Sequence, residues 1–178
     1  MMQPAIKAAL DAMLEGVSRR DLAARAQRMS ELYREGKGSN IAIRDAQDAL
    51  AYTVSRMPAT LAAIDAARQG ALDPRRLPVA FACVRTVLDL GAGPGTATLA
   101  FLAGGAADLG LQTIDKVTLV ETNPAFRAMA ADLLRRVGAA FEILDNGIEH
   151  LPKTLAPADL VVMSYVQVEM TADAAKTA

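Results

Sequence analysis

The sequence predicts an α/β protein, a parallel sheet preceded by an all-α N-terminal region. Three observations carry that prediction. Apolar residues keep helical spacing up to about residue 70, a segment rich in glycine, proline and arginine follows at 70–78, and short apolar runs then alternate with helical stretches. The domain reading is therefore a helical region over 1–78 and a sheet domain over 79–178.

In the first half, Ile6, Leu10, Met13, Leu14 and Val17 mark one helix, and Leu22, Ala26, Met29 and Tyr33 a second. Ser18, with Asp21 three residues on, is a capping signal for the second helix, and the glycines at 36 and 38 end it. Ser39 or Asn40 caps a third. Leu50, Val54, Met57, Leu61 and Ile64 continue the spacing across Pro58, which predicts a kink or a split there, because proline lacks the amide proton and crowds the preceding turn. Pro74, Pro78, Arg75 and Arg76 make 70–78 a linker.

In the second half, strands are expected at 84–90, 117–121, 141–144 and 159–164. Helices begin near Gly95 and at Asn123, where Asn123 caps and Pro124 suits the first turn, and a loop or short helix precedes the last strand. Strands separated by crossovers pair in parallel and need cover on both faces.

Bulk properties exclude several classes. The chain has 178 residues, 52% of them hydrophobic, enough to bury one core. Nineteen basic against twenty acidic residues give a net charge of -1, so there is no polycation signature for nucleic acid, and DNA is not an expected partner. Any RNA contact needs a local patch. The best candidate is the second helix with Arg19, Arg20, Arg25, Arg28, Arg34 and Lys37, although these spread over its polar side as a solvated face does. Cys83 and His150 stand alone, so neither a disulfide nor a metal site is expected, and Cys83 reads as a small core residue. No apolar run approaches the length of a membrane span and no targeting segment is evident, so the expected location is cytoplasmic, with no membrane partner.

The chemistry lies in VLDLGAGPGTAT at 87–98, where a buried strand runs into Gly91, Gly93 and Gly95 before a helix. Glycines let the backbone turn tightly and approach a ligand, and the helix that follows presents free amides. The spacing discriminates between ligands. A dinucleotide fingerprint has glycines at relative positions one, three and six, whereas here they fall at one, three and five, and no lysine follows to make a phosphate loop. NAD and ATP are thereby disfavoured.

With these residues in view, LDLGAGPGT resembles motif I of the class I S-adenosylmethionine (SAM) dependent methyltransferases, whose fold is Rossmann-like, and KVTLVETNPAF at 116–126 resembles their motif II. The resemblance implies SAM as cofactor, bound by Asp89, Gly91, Gly93, Gly95, Glu121 and Asp145. Glu121 matches the acid that holds the ribose hydroxyls, Asp89 the acid near the methionine amino group, and Asp145 the position that contacts the adenine amino group. Asp145 lies in Asp-Asn-Gly, which is equally good turn chemistry.

A narrower resemblance covers nearly the whole chain. GVSRRDLAARA, Tyr33, RMPAT at 56–60, LDLGAGPGTA at 88–97 and ADLVVMSYV at 158–166 are together similar to the mitoribosomal small-subunit methyltransferase-like family and its bacterial relatives. It implies a role in ribosome assembly or translation, with the small ribosomal subunit or its rRNA as partner. Gln167, Val168, Glu169 and Met170 depart from the Leu-Asn-Glu-Leu expected after SYV.

No residue is assigned to catalysis. Methyl transfer is an in-line displacement that alignment alone can accelerate, so few catalytic groups are required. Ser-Tyr-Val-Gln at 164–167 carries neither an Asn/Asp-Pro-Pro-aromatic turn nor a cysteine nucleophile, and Tyr165 is a candidate for stacking on a base. Only the first four of the seven strands of a class I sheet are expected, and an iron-sulfur C-terminal half, which the family implies, has no ligand set. The chain therefore reads as C-terminally truncated and as inactive alone, with strand four an exposed apolar edge. A methyltransferase of small molecules or proteins unrelated to ribosomes, and a non-catalytic scaffold with a vestigial pocket, remain alternatives.

Overall fold

The computed structural model describes residues 4–71, 84–103 and 114–165. Cys83, most of the predicted linker and residues 167–170 lie outside the described residues.

The helical region comprises α1 (Pro4–Met13), α2 (Arg19–Arg34), a single turn α3 (Ser39–Ala42) and α4 (Ala46–Ala71). Ser18 caps α2 as expected, its hydroxyl accepting from the Asp21 amide. The cap of α3 is instead Gly38, without a side-chain bond, and Asp45 serves α4 by accepting from the Asp48 amide at 2.8 Å.

Pro58 does not divide α4, which runs unbroken through it into the expected linker as far as Ala71. Proline removes one hydrogen bond, but Met57 and Leu61 on either side are buried, and α4 packs against α2, α5 and α6. Burying each such side chain is worth about 1.5–3 kcal/mol, enough to hold the turn together.

Four parallel strands follow: β1 (Thr86–Leu90), β2 (Lys116–Val120), β3 (Phe141–Leu144) and β4 (Leu160–Met163), in the order β3-β2-β1-β4. They alternate with α5 (Thr96–Ala103), α6 (Pro124–Arg136) and a 3-10 turn at Ile148–His150. Asp89 pairs in register with Leu119 on one side and Val162 on the other. The α/β class and the parallel sheet are as the sequence predicts.

The two faces of the sheet are buried differently. Val87, Val117 and Leu119 join the large core that also holds Ile6, Leu10, Leu22, Met29, Leu50 and Met57 of the helical region. That core is continuous from the N-terminal helices to the sheet. On the other face Leu88, Leu90 and Val120 lie under Ile148, Leu151 and Leu155, so a largely irregular segment covers them. Among the described residues β4 pairs only with β1, and its Val161 is 55% exposed, the apolar edge expected of strand four. No helix of the described residues is long and apolar enough to cross a membrane.

The helical region is bolted together by one buried carboxylate. Asp48 has 0% exposure and takes ion pairs from Arg25 at 2.8 Å, Arg28 at 2.7 Å and Arg44 at 3.3 Å. Burial pushes its carboxyl upward, but the three arginines and the Arg44 amide outweigh this and hold it below the ordinary carboxylate range. Two of the six cations proposed for RNA, Arg25 and Arg28, thus turn inward to α4, and Arg28 also donates to the carbonyl of Ala42.

Candidate functional site

The loops that leave the carboxyl ends of all four strands converge on one cavity of about 270 Å³. Gly91 and Gly93 come from the end of β1, Glu121 and Thr122 from β2, residues 146–149 from β3, and Ser164 and Tyr165 from β4. Open α/β sheets bind ligands at this end, where the strand order reverses on either side of the first strand. The remaining wall comes from Tyr33, Ser39, Asn40 and Tyr52 of the helical region and from Phe126 of α6.

The glycine turn is built as its sequence demands. Gly91, Gly93 and Gly95 have φ of 66°, 54° and 77°, a left-handed conformation that side chains disfavour. Gly95 has a second reason: a Cβ there would meet the Leu119 side chain at 3.4 Å and Ala130 Cβ at 3.5 Å, so α6 and the sheet close over it. The Gly91 and Ala92 amides donate to the Val120 carbonyl at 2.9 and 3.0 Å, which fixes the turn to the end of β2.

Glu121 stands at that junction. Its Oε2 accepts from the Gly93 amide and its Oε1 from the Asn123 amide, both at 2.7 Å. Two charge-assisted bonds orient the carboxylate at the cavity wall. Asn123 links the same loop to the helical region. Its Oδ1 caps α6, accepting from Ala125 and Phe126, while its Nδ2 donates to the carbonyls of Ile43 at 2.9 Å and Ser39 at 3.3 Å. An amide is required, since one end must accept and the other donate. The sequence gives the cap, and nothing in it announces the second role.

Asp89 is 1% exposed on the large-core face of β1. Its Oδ2 accepts from the Thr98 hydroxyl at 2.8 Å and the Thr98 amide at 3.1 Å, and its Oδ1 is buried with no hydrogen-bond partner. Burial pushes the carboxyl up to about 6, against the opposing bonds from Thr98 and with a small push from the Glu121 charge. Asp89 lines a recess of about 50 Å³ that adjoins the main cavity at Gly91, Gly93 and Tyr52.

Of the residues singled out from the sequence, Asp89, Gly91, Gly93 and Glu121 lie together on these two cavities, and Gly95 supports them from beneath. Asp145 does not join them: it is exposed at the end of β3, and its neighbours Asn146 and Gly147 line the cavity. His150 is exposed, outside both cavities, with its carbonyl bonded to Asn146. The chain has three tyrosines, and all three, Tyr33, Tyr52 and Tyr165, line the main cavity. Tyr52 stands edge-on to Phe126 at 5.0 Å between centroids and 6.2 Å from Tyr33. Their scarcity was the one available sequence signal. Tyr165 is 66% exposed at φ 62°, an arrangement that costs a bulky residue about 1–3 kcal/mol and aims it at the cavity mouth.

Sheet order, glycine turn and strand-end carboxylate define a class I methyltransferase fold. The sequence matches the family model for the mitochondrial small ribosomal subunit protein Rsm22 over residues 46–178, and the chain belongs to that family. Among solved structures it is similar to the mitomycin 7-O-methyltransferase MmcR, with TM-score 0.50 and 21% identity over 98% of this chain. It spans about half of that protein, 49%. A match to the 16S rRNA methylase RmtB has TM-score 0.34 and 18% identity, covering 88% of this chain and 70% of that one. No curated protein sequence matches.

Proposed function

We propose that this chain binds SAM at the glycine turn and works on the small ribosomal subunit, in assembly or translation, with its rRNA as the methyl acceptor where transfer occurs. The observation that carries the cofactor reading is Glu121, fixed by the Gly93 and Asn123 amides at the rim of a cavity lined by the motif glycines. Family membership supports the ribosomal partner.

The residues present fit the cofactor. Asp89 keeps one buried carboxylate oxygen without a partner, a position suited to an ammonium group. Glu121 can accept from both ribose hydroxyls, and Tyr52, Phe126 and Ile148 offer apolar surface to the nucleoside. Bound SAM supplies an activated methyl group. The chain's part is to hold the cofactor and to leave the mouth, beside Ser164 and Tyr165, to the acceptor.

Calorimetry tests the cofactor, with S-adenosylhomocysteine as ligand. Glu121→Ala is expected to weaken binding by about 10 to 100-fold, the loss of charge-assisted bonds to two hydroxyls. Undiminished binding contradicts the assignment. Sedimentation with isolated small subunits tests the partner: co-migration at physiological salt is expected, and chain left at the top of the gradient contradicts it.

A further inference from the structure

Helix α4 brings a cation to the same recess as Asp89. Tyr52, Arg56 and Thr60 recur every fourth residue and form one ridge of α4, and all three line the 50 Å³ recess beside the glycine turn. The ridge holds only because α4 continues through Pro58, so that Thr60 stays in register with Arg56.

Arg56 and Asp89 are the recess's two charged lining residues, and Tyr52, Thr60, Thr96, Ser164 and Tyr165 add hydroxyls to its wall. Arg56 Nη2 donates to the Ser30 hydroxyl at 3.1 Å, which steadies the side chain and leaves other donors of its fork for a carboxylate. Asp89 contributes the opposite charge, with Oδ1 buried and unsatisfied. A water needs about 10–15 Å³ of such space, so the recess admits a small polar group and not a nucleoside. One anion and one cation among hydroxyl-bearing side chains, in a space of that size, match a zwitterionic α-amino-acid group.

We propose that Arg56, on the helical region, binds the carboxylate of the cofactor's methionine moiety and with Asp89 forms a clamp for its α-amino-acid end. This rests on the SAM reading above. It gives the RMPAT segment at 56–60 a task, and it makes the helical region part of the cofactor site.

The test compares two ligands by calorimetry on the full chain: S-adenosylhomocysteine, and methylthioadenosine, which keeps the thioether nucleoside but has no amino-acid group. Arg56→Ala is expected to weaken the first by about 10 to 100-fold while changing the second by less than about twofold, and Arg56→Lys to recover part of the loss. Glu121→Ala weakens both ligands. Unchanged S-adenosylhomocysteine binding in Arg56→Ala, or equal losses for both ligands, overturns the clamp while Glu121 still reports on the cofactor site. If the unaltered chain binds neither ligand, the cofactor reading falls and the clamp with it.

Discussion

Asp48 and Asp89 are both buried aspartates, 0% and 1% exposed, in one continuous fold, and they are built in opposite ways. Asp48 is surrounded by Arg25, Arg28 and Arg44, and its carboxyl is held low. Asp89 has hydrogen bonds to one oxygen only, and its carboxyl is pushed up to about 6. A buried charge whose partners are all supplied internally is part of the frame. One left half-satisfied beside a cavity is, under the proposed cofactor reading, a seat for the cofactor's ammonium group.

The comparison breaks first at Asp48. Asp48→Asn removes the buried anion shared by Arg25, Arg28 and Arg44, of which Arg25 keeps Asp21 and Asp45, and urea denaturation should register a loss of about 3–5 kcal/mol at pH 7. Because the folded carboxyl lies below its unfolded value, the Asp48 contribution is present above the ordinary carboxylate pKa and disappears as pH falls through the folded value. The variant should therefore lose the difference from the parent in acid. A variant as stable as the parent at pH 7 would make the arginines ornamental.

Asp89→Asn should act with the opposite sign. The folded carboxyl titrates near 6 against 3.8 unfolded, so its ionisation opposes folding as pH rises between those values, by about 3 kcal/mol above them. The variant is expected to be more stable than the parent at pH 8, equal to it below about pH 4, and weakened in S-adenosylhomocysteine binding. Destabilisation at pH 8 would place Asp89 with Asp48, in the frame.

The smallest effect sharpens the link between the two regions. Asn123→Asp keeps the cap of α6 and removes the donor to the Ile43 and Ser39 carbonyls, at a cost of about 1–3 kcal/mol. Hydrogen exchange should accelerate over residues 39–43 and not in α6. Equal protection in both segments would deny Asn123 its part in docking α3 to the cavity.

Much of this was legible in the sequence for physical reasons. Strand three appears at 141–144 as expected, Asn123 and Ser18 cap as their side chains require, and Pro124 takes the first turn, because these signals are local. The glycine turn and Glu121 were legible because left-handed backbone and a strand-end carboxylate leave few substitutes. The Asp48 cluster was not, since Arg25 and Asp48 meet across 23 positions and a charged residue in an amphipathic helix reads as solvated. The split allowed for at Pro58 does not occur, because the loss of one backbone bond is local, while the packing of Met57 and Leu61 that overrides it is tertiary. Asp145 matched a strand-end position, but its chain turns so that Asn146 and Gly147 face the cavity.

The central claim is that Asp89 waits for a cation that Asp48 already has. Carboxyl-carbon NMR, following both side chains through a pH titration with and without S-adenosylhomocysteine, tests it most directly. The account predicts that the ligand drives the Asp89 titration from about 6 to below the ordinary carboxylate value and leaves Asp48 unmoved. An Asp89 that titrates near 6 in the saturated complex would contradict it.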